Sequence, residues 1–495
     1  MSTPTLAPPS TGRATHVGGV HKNLILALLA ASQFVVVLDA SITNVALPSI
    51  GRALSFSQDN LSWVVNAYTL TFGGFLLLGG RLADLLGRRR VYMAGLVLFA
   101  IASLVGGLAQ SEAMLIAARA VQGLGAALLS PAALSILTTT FSEGTERNRA
   151  LGVWGAVAGS GGAVGVLLGG VLTEYLNWRW VLFVNVPIAV GAVVLAPRLI
   201  AESRAQERPE SFDVAGAITV TAGLSLLVYS LVNANSAGWG SAETIVLIAA
   251  SLILLVSFLV IERRSKAPLV PFDVFSSRTR TGSYIVGVLL AAALFSMFFF
   301  ISLYMQQVLH WSAIRSGLSY LPLGLTIIFA AGAGSQLVNR IGFKPVLVTG
   351  LLFVTAGMLW WSQISVNGTF LSDVLGPELV AAVGLGLAFV SVTIGGTSGI
   401  SEDEAGLASG LLNAGQQVGG ALGLAILAAI ATARTDAVSG PLSHALTSGF
   451  QAAFLTGAAF ALIGAILAMT LVSNADSREL LAAAHAEDAA LAAAG

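Results

Sequence analysis

The 495-residue chain contains no cysteine. Disulfides, thiolate metal sites and cysteine nucleophiles are therefore excluded. No compartment follows from this, because disulfides are optional in a helical membrane bundle. Charge is scarce too: Asp, Glu, Lys and Arg make up 10% of the residues and sum to zero. The three lysines, Lys22, Lys266 and Lys344, stand in no G-x-x-x-x-G-K-[ST] context. No phosphate-binding loop is present, and neither ATP nor nucleic acid is expected as a partner. The histidines, two of them at His16 and His21 near the N-terminus, show no metal-ligand spacing, and no nucleophile elbow occurs. The expectation is a chain without metal, cofactor or catalytic residue, and not an enzyme.

Apolar residues are what the chain has in excess, at 56% with a mean hydropathy of +0.86. That lies far outside the range of soluble globular chains. Stretches of roughly 20 apolar residues, enough for about 30 Å of hydrocarbon, recur along most of the length. The fold class expected is all-α, a polytopic membrane protein of fourteen spans between residues 24 and 473. The first run, Leu24–Leu47, contains Asp39 and no small-residue cleavage pattern, so it reads as a span rather than a signal peptide. With an even number of spans both termini share one side. Of the 24 Lys and Arg residues, only Arg52, Arg179, Arg315 and Arg434 then fall outside, and Arg119 falls within a span. This asymmetry puts both termini in the cytoplasm.

A shift of 255 residues lays Gln336-Leu337-Val338-Asn339-Arg340-Ile341-Gly342 on Arg81-Leu82-Ala83-Asp84-Leu85-Leu86-Gly87, and also Gly410 on Gly155 and Gly420 on Gly165. Two six-span halves with a two-span insertion account for the offset, and a substrate site between repeated halves is a common transporter plan. The division expected is a disordered tail at 1–23, a first half at 24–200, an insertion with charged linkers at 201–281, a second half at 282–473 and a cytoplasmic tail at 474–495. The inserted spans carry no internal charge and are expected to lie apart from transport.

Four features carry chemistry. The loop Gly80–Arg90 packs four arginines, Asp84 and two glycines between two apolar runs, as a hinge or latch would. Asp39 lies deep in the first span, where a carboxylate is costly enough to need a reason. Arg119 lies at a matched depth in the fourth span. Burial disfavours a carboxyl's charge and a neighbouring cation favours it, so such a pair could switch protonation or merely satisfy two awkward charges. The fifth span carries Gly161, Gly165 and Gly169 on one helix face, with Gly170 beside them, which lets backbones approach closely. Polar side chains within spans, namely Gln33, Asn44, Tyr68, Gln122, Trp154, Gln306, Gln307, Asn413 and Gln416, are candidates for a central cavity, alongside Asn66, Asn185 and Gln417. Asp39 is the only acid read as intramembrane, so neutral or singly charged substrates are expected over dications.

These residues resemble the major facilitator superfamily, and within it the fourteen-helix drug:proton antiporter branch. Leu38-Asp39-Ala40-Ser41-Ile42-Thr43-Asn44-Val45-Ala46-Leu47-Pro48 is similar to the branch's first-helix signature. Gly80–Arg90 resembles the loop G-x-L-A-D-r-x-G-r-r, and Arg119-Ala120-Val121-Gln122-Gly123-Leu124-Gly125 resembles R-x-x-Q-G-x-G. The glycines of span five resemble the antiporter motif G-x-x-x-G-P-x-x-G-G, with Val166 where the motif has proline; Leu85 replaces a usual basic residue of the loop. The resemblance implies a multi-pass protein of the cell membrane that exports amphipathic drugs by alternating access in exchange for protons. It implies proton coupling at Asp39 and Arg119, and a cytoplasmic latch at Gly80, Asp84, Gly87, Arg88 and Arg89. Export of one dedicated metabolite is the alternative within transport. A channel would need neither the repeat nor the latch.

Overall fold

The computed structural model describes residues 19–141, 145–203, 213–265, 268–270, 272–398 and 405–477, which form helices joined by short connections, with no strand among them. The long helices are α1 (Gly19–Leu54), α2 (Trp63–Leu86), α3 (Arg88–Gly107), α4 (Glu112–Thr140), α5 (Thr145–Tyr175) and α6 (Trp180–Leu199). Then follow α7 (Val214–Ala237), α8 (Ala242–Arg264), α9 (Arg278–Val308), α10 (Ala313–Ile341), α11 (Phe343–Trp361), α12 (Phe370–Gly396), α13 (Ala405–Asp436) and α14 (Leu442–Leu471). Among the described residues, 12 helices are long and apolar enough to cross a membrane; α2 and α5 are further long helices beside them. In hydrocarbon only a helix satisfies its own backbone, which is why apolar runs of this length take no other form.

Polar caps start several of these helices where the chain re-enters apolar sequence. Ser111, Ser241 and Ser312 accept from the third residue onward of α4, α8 and α10, and Asp213 does so for α7. Gly87 (φ 112°) and Gly342 (φ 84°) each separate two helices by a single residue. A left-handed φ costs little only for glycine, and the two glycines stand 255 residues apart. The repeat in the sequence is thus a repeat in backbone conformation.

The segment Gly80–Arg90 is therefore not a loop. Residues 80–86 finish α2 and Arg88–Arg90 begin α3, with Gly87 as the only break. Charged residues past the hydrocarbon remain good helix formers, so the helix outruns the apolar stretch that announces it. For the same reason α1 begins at Gly19, inside the stretch read as a tail, and α9 begins at Arg278. Residues 1–18 and 478–495 lie outside the described set.

One core cluster gathers α1 to α4 and α6; a larger one gathers α9 to α14 with Ile42–Ile50 of α1 and neighbouring ends of α2, α4, α5 and α6. The inserted pair touches the bundle through α7. Leu224, Val228 and Val232 of α7 pack with Leu70 of α2 and with Ala421 and Ala425 of α13. Helix α7 therefore rests on the contact between the two groups of helices.

Candidate functional site

Five of the first six helices are joined by one polar network. Asp39 of α1 is fully buried, as are Arg119 and Gln122 of α4, Ser103 of α3 and Asn185 of α6. Arg119 Nη1 donates to Asp39 Oδ2 at 2.5 Å and to Gln122 Oε1 at 2.8 Å. Gln122 Nε2 and Asn185 Nδ2 both donate to Asp39 Oδ1, at 2.8 and 2.7 Å. Ser103 Oγ accepts from the same two amides and donates to the carbonyl of Leu182 at 2.8 Å. Arg119 Nε donates to the carbonyl of Val64 in α2 at 2.9 Å, and its guanidinium lies 4.4 Å from the Tyr68 ring centre. Five helices thus meet at one carboxylate.

The chemistry of this arrangement follows from the direction of each bond. Every side chain bonded to the Asp39 carboxylate is a donor: a guanidinium and two amides. The Gln122 amide cannot turn over, because its oxygen is already committed to Arg119. Three of the carboxylate's four lone-pair sites are taken by donors, so a proton competes with the network there, and neutralising the charge weakens the bond to the guanidinium. Neutralising Asp39 would also leave Arg119 buried without a counter-charge, a cost of about 3–5 kcal/mol.

The glycines of α5 divide between two faces. A Cβ at Gly161 would lie 3.1 Å from Val37, and one at Gly169 would lie 2.7 Å from the Ile42 carbonyl, both on α1; Gly165 abuts Ser41 and Leu38. Gly170 faces α10 instead, where a Cβ would lie 2.8 Å from the carbonyl of Ala313. From α10, a Cβ on Gly317 would lie 2.8 Å from the carbonyl of Val166, the position of the missing proline. Glu174 Oε2 accepts from the Ala313 amide at 3.0 Å. A second contact between the groups joins α9 to α1: Ser302 Oγ donates to the Asn44 carbonyl at 3.0 Å, and Gln306 Nε2 to the Val45 carbonyl at 2.9 Å. On the far side, a Cβ on Gly73 of α2 would lie 2.7 Å from Gln417 Cβ of α13.

At the Gly87 end, the segment after α6 clamps the start of α3. Arg88 N donates to the carbonyl of Ser203 at 3.0 Å, and Arg89 N to Glu202 Oε1 at 3.2 Å. The guanidinium of Arg89 reaches the Ile200 carbonyl at 3.0 Å, and Arg89 and Arg90 stand 3.8 and 3.7 Å from Glu202 Oε2. Gly80 is in ordinary contact with Pro131. The side chain of Asp84 lies outside the described residues.

The cavity candidates separate into two sets. Tyr68, Gln122 and Gln306 are buried in the contacts above, so none of the three lines an open space here. Gln33, Asn44, Trp154, Gln307, Asn413 and Gln416 are half-buried; Gln33 accepts from Ser130 Oγ at 3.1 Å and Asn44 donates to the Ala40 carbonyl at 3.1 Å. The sequence reading passed over Ser103 and Glu202, whose residue types carry no positional signal. It also passed over Glu378, an acid of α12 with 1% exposure and no hydrogen-bond partner at Oε2. Asp39 is therefore not the only buried intramembrane acid. Its rarity in an apolar run was the signal, masked by its place near the start of the span.

Residues 29–424 match the sequence profile of the Major Facilitator Superfamily. The chain is 39% identical to the puromycin resistance protein pur8 of Streptomyces alboniger, over 91% of each protein. It is 40% identical to the cephamycin export protein CmcT of Amycolatopsis lactamdurans, over 94% of this chain and 96% of that one. The multidrug transporter protein MdtP of Bacillus subtilis is 32% identical over 84% of this chain and 76% of its own length. In fold, a bacterial homologue of the human lysosomal transporter Spinster superposes with a TM-score of 0.67 at 17% identity, covering 93% of this chain and 98% of that one.

Proposed function

The chain belongs to the Major Facilitator Superfamily and is a multi-pass membrane transporter, not an enzyme; from that premise we propose that it is a proton-coupled antiporter exporting amphipathic antibiotics from the cytoplasm. Relatives named for resistance to, or export of, antibiotics support the cargo class. The observation that carries the proton reading is the Asp39 carboxylate with three donors and no acceptor. A proton on it removes the charge that holds Arg119 and weakens the bonds that tie α1 to α4 and α6, which couples protonation to helix movement, as exchange requires.

In this reading all fourteen long helices cross the bilayer, with both termini cytoplasmic and the two halves at about 24–200 and 282–473. The contacts at Gly170, Gly317, Ser302 and Gln306 form the closed outer seam of an inward-facing state. Gly80, Asp84, Gly87, Arg88 and Arg89 form the cytoplasmic latch, with Glu202 as its anchor. The half-buried polar side chains Gln33, Asn44, Trp154, Gln307, Asn413 and Gln416 contact the cargo. The cephamycin export relative favours a second reading, a narrow exporter of one metabolite on the same machinery.

Efflux of ethidium and of puromycin from inverted vesicles, with and without a proton-collapsing ionophore, tests the proposal in the wild type and in Asp39→Asn. Loss of efflux with either the gradient or the carboxylate is expected. Flux that survives both would refute antiport. Wild-type vesicles that move neither drug would favour the narrow exporter.

A further inference from the structure

The second half contains a buried acid that the coupling scheme above does not use. Under the 255-residue shift, α12 is the counterpart of α4. Leu294 stands where Asp39 stands, Val374 where Arg119 stands, and Pro377 where Gln122 stands. Glu378 is one residue away. It lies eight residues into α12, about 12 Å from that helix's start, and Arg119 lies seven residues, about 10 Å, into α4. The two halves therefore each hold an ionisable group at the same depth on equivalent helices, but in the second half it has no opposite charge.

The surroundings of Glu378 are uncharged. Oε2 has no hydrogen-bond partner, and among the described residues no salt bridge reaches it. Charges on the elements around it sit at other levels. Arg278 and Arg280 begin α9, while Arg340 ends α10 and Lys344 begins α11, all at the Gly342 end of the bundle. Arg315 lies against Trp311 at the opposite end. Asp373, earlier in α12, is engaged by the amides of Ser365 and Thr369 at 3.1 and 2.9 Å. A bare carboxylate at Glu378 would be uncompensated, whereas the protonated acid has no charge to compensate.

Tyr320 is the titratable side chain within electrostatic reach of it, and it also neighbours Ser302. Tyr320 is the irregular residue that breaks α10, and its hydroxyl donates to the carbonyl of Phe298 at 2.9 Å. The turn before it, Ala313–Ser319, carries the α10 side of the seam with Gly170 and Val166, and Ser302 carries the α9 side with Asn44. A charge appearing on Glu378 would act through Tyr320 on both seam contacts at once.

We propose that Glu378 is a second proton-binding site of the transport cycle, loaded from the outer side and read out through Tyr320 at the outer seam. The inference rests on the antiport reading and adds a second exchanged proton to it. On loading, a carboxylate oxygen of Glu378 takes a proton from outer water and an O–H bond forms. On release that bond breaks and the proton passes to cytoplasmic water, with no change in oxidation state.

Infrared titration of the purified protein tests this without any drug. The band of the protonated carboxyl should fall as pH is raised, and Glu378→Gln should lack one titrating component that Asp39→Asn retains. Tyr320→Phe should keep that component and shift its midpoint. A Glu378→Gln spectrum identical to wild type, or a Glu378 band that persists at every pH, would overturn the proposal. Should Glu378→Gln not fold, Tyr320→Phe decides, since an unshifted midpoint overturns it. In proteoliposomes exporting ethidium, a singly charged cation, exchange for two protons moves net charge and exchange for one does not. Glu378→Gln should therefore lose acceleration by membrane potential and keep acceleration by the pH gradient. Wild-type flux that ignores the pH gradient would overturn antiport and this proposal together. Gradient-driven wild-type flux with an unchanged potential response in Glu378→Gln would overturn this proposal alone.

Discussion

Removing Asp39 and Arg119 separately and together should give stability losses that do not add. Arg119→Ala deletes the 2.5 Å bond to Asp39, the bond to Gln122 and the bond to Val64, and leaves a fully buried carboxylate with only amide donors. Asp39→Ala deletes three acceptor contacts and leaves a guanidinium facing Gln122 and Tyr68. Breaking a buried pair from one side costs about 3–5 kcal/mol, much of it from the stranded charge, while replacing both partners by apolar groups is often near neutral. Additive singles would cost about 6–10 kcal/mol in the double variant; the structure predicts that the double variant is no less stable than either single one, a coupling of several kcal/mol. Equilibrium unfolding in mixed detergent micelles measures this for the four proteins. All three variants should be inactive in drug efflux, so the stability and transport readouts part company in the double variant. A double variant as unstable as the sum of its singles would refute the view that charge compensation, rather than packing, makes this site costly.

The seam glycines give a paired test: Gly170→Leu or Gly317→Leu must displace backbone at 2.8 Å, whereas a Cβ at Gly162 meets nothing within 4 Å. The first two should cost about 1–3 kcal/mol and stop drug efflux, and Gly162→Ala should do neither. Glu202→Gln removes two partly exposed ion pairs worth about 1 kcal/mol or less each. Its unfolding midpoint should barely move, but trypsin should cut at Arg88–Arg90 faster; unchanged cleavage would argue against a clamp. Gly74 abuts Thr221 of α7. Gly74→Leu should impair efflux, and adding Thr221→Gly should restore it if contact with α7 is what matters.

Hydropathy makes the helices legible, since backbone in hydrocarbon has one solution, and depth arithmetic alone pairs Asp39 with Arg119. The repeat offset was equally informative, because a left-handed glycine between two helices needs no partner to be recognised. Other parts were hidden for identifiable reasons. Helix ends beyond the apolar stretch, such as residues 80–86, carry no hydropathy signal. Ser103 and Asn185 became important only through the helices that α4 meets, and a polar residue in an apolar run does not announce its neighbour. Tyr68, Gln122 and Gln306 had the chemistry of a cavity lining, yet their bonds are spent inside the protein. Glu202 sits in a charged segment where one acid looks like any other.

Helix α7 lies along the line where α2 meets α13, while among the described residues the other line of contact, α5 against α10, has no such cover from the inserted pair. The flanks of the bundle are thus unequal towards lipid. A cargo entering sideways from lipid is therefore expected beside α5 and α10 rather than beside α7.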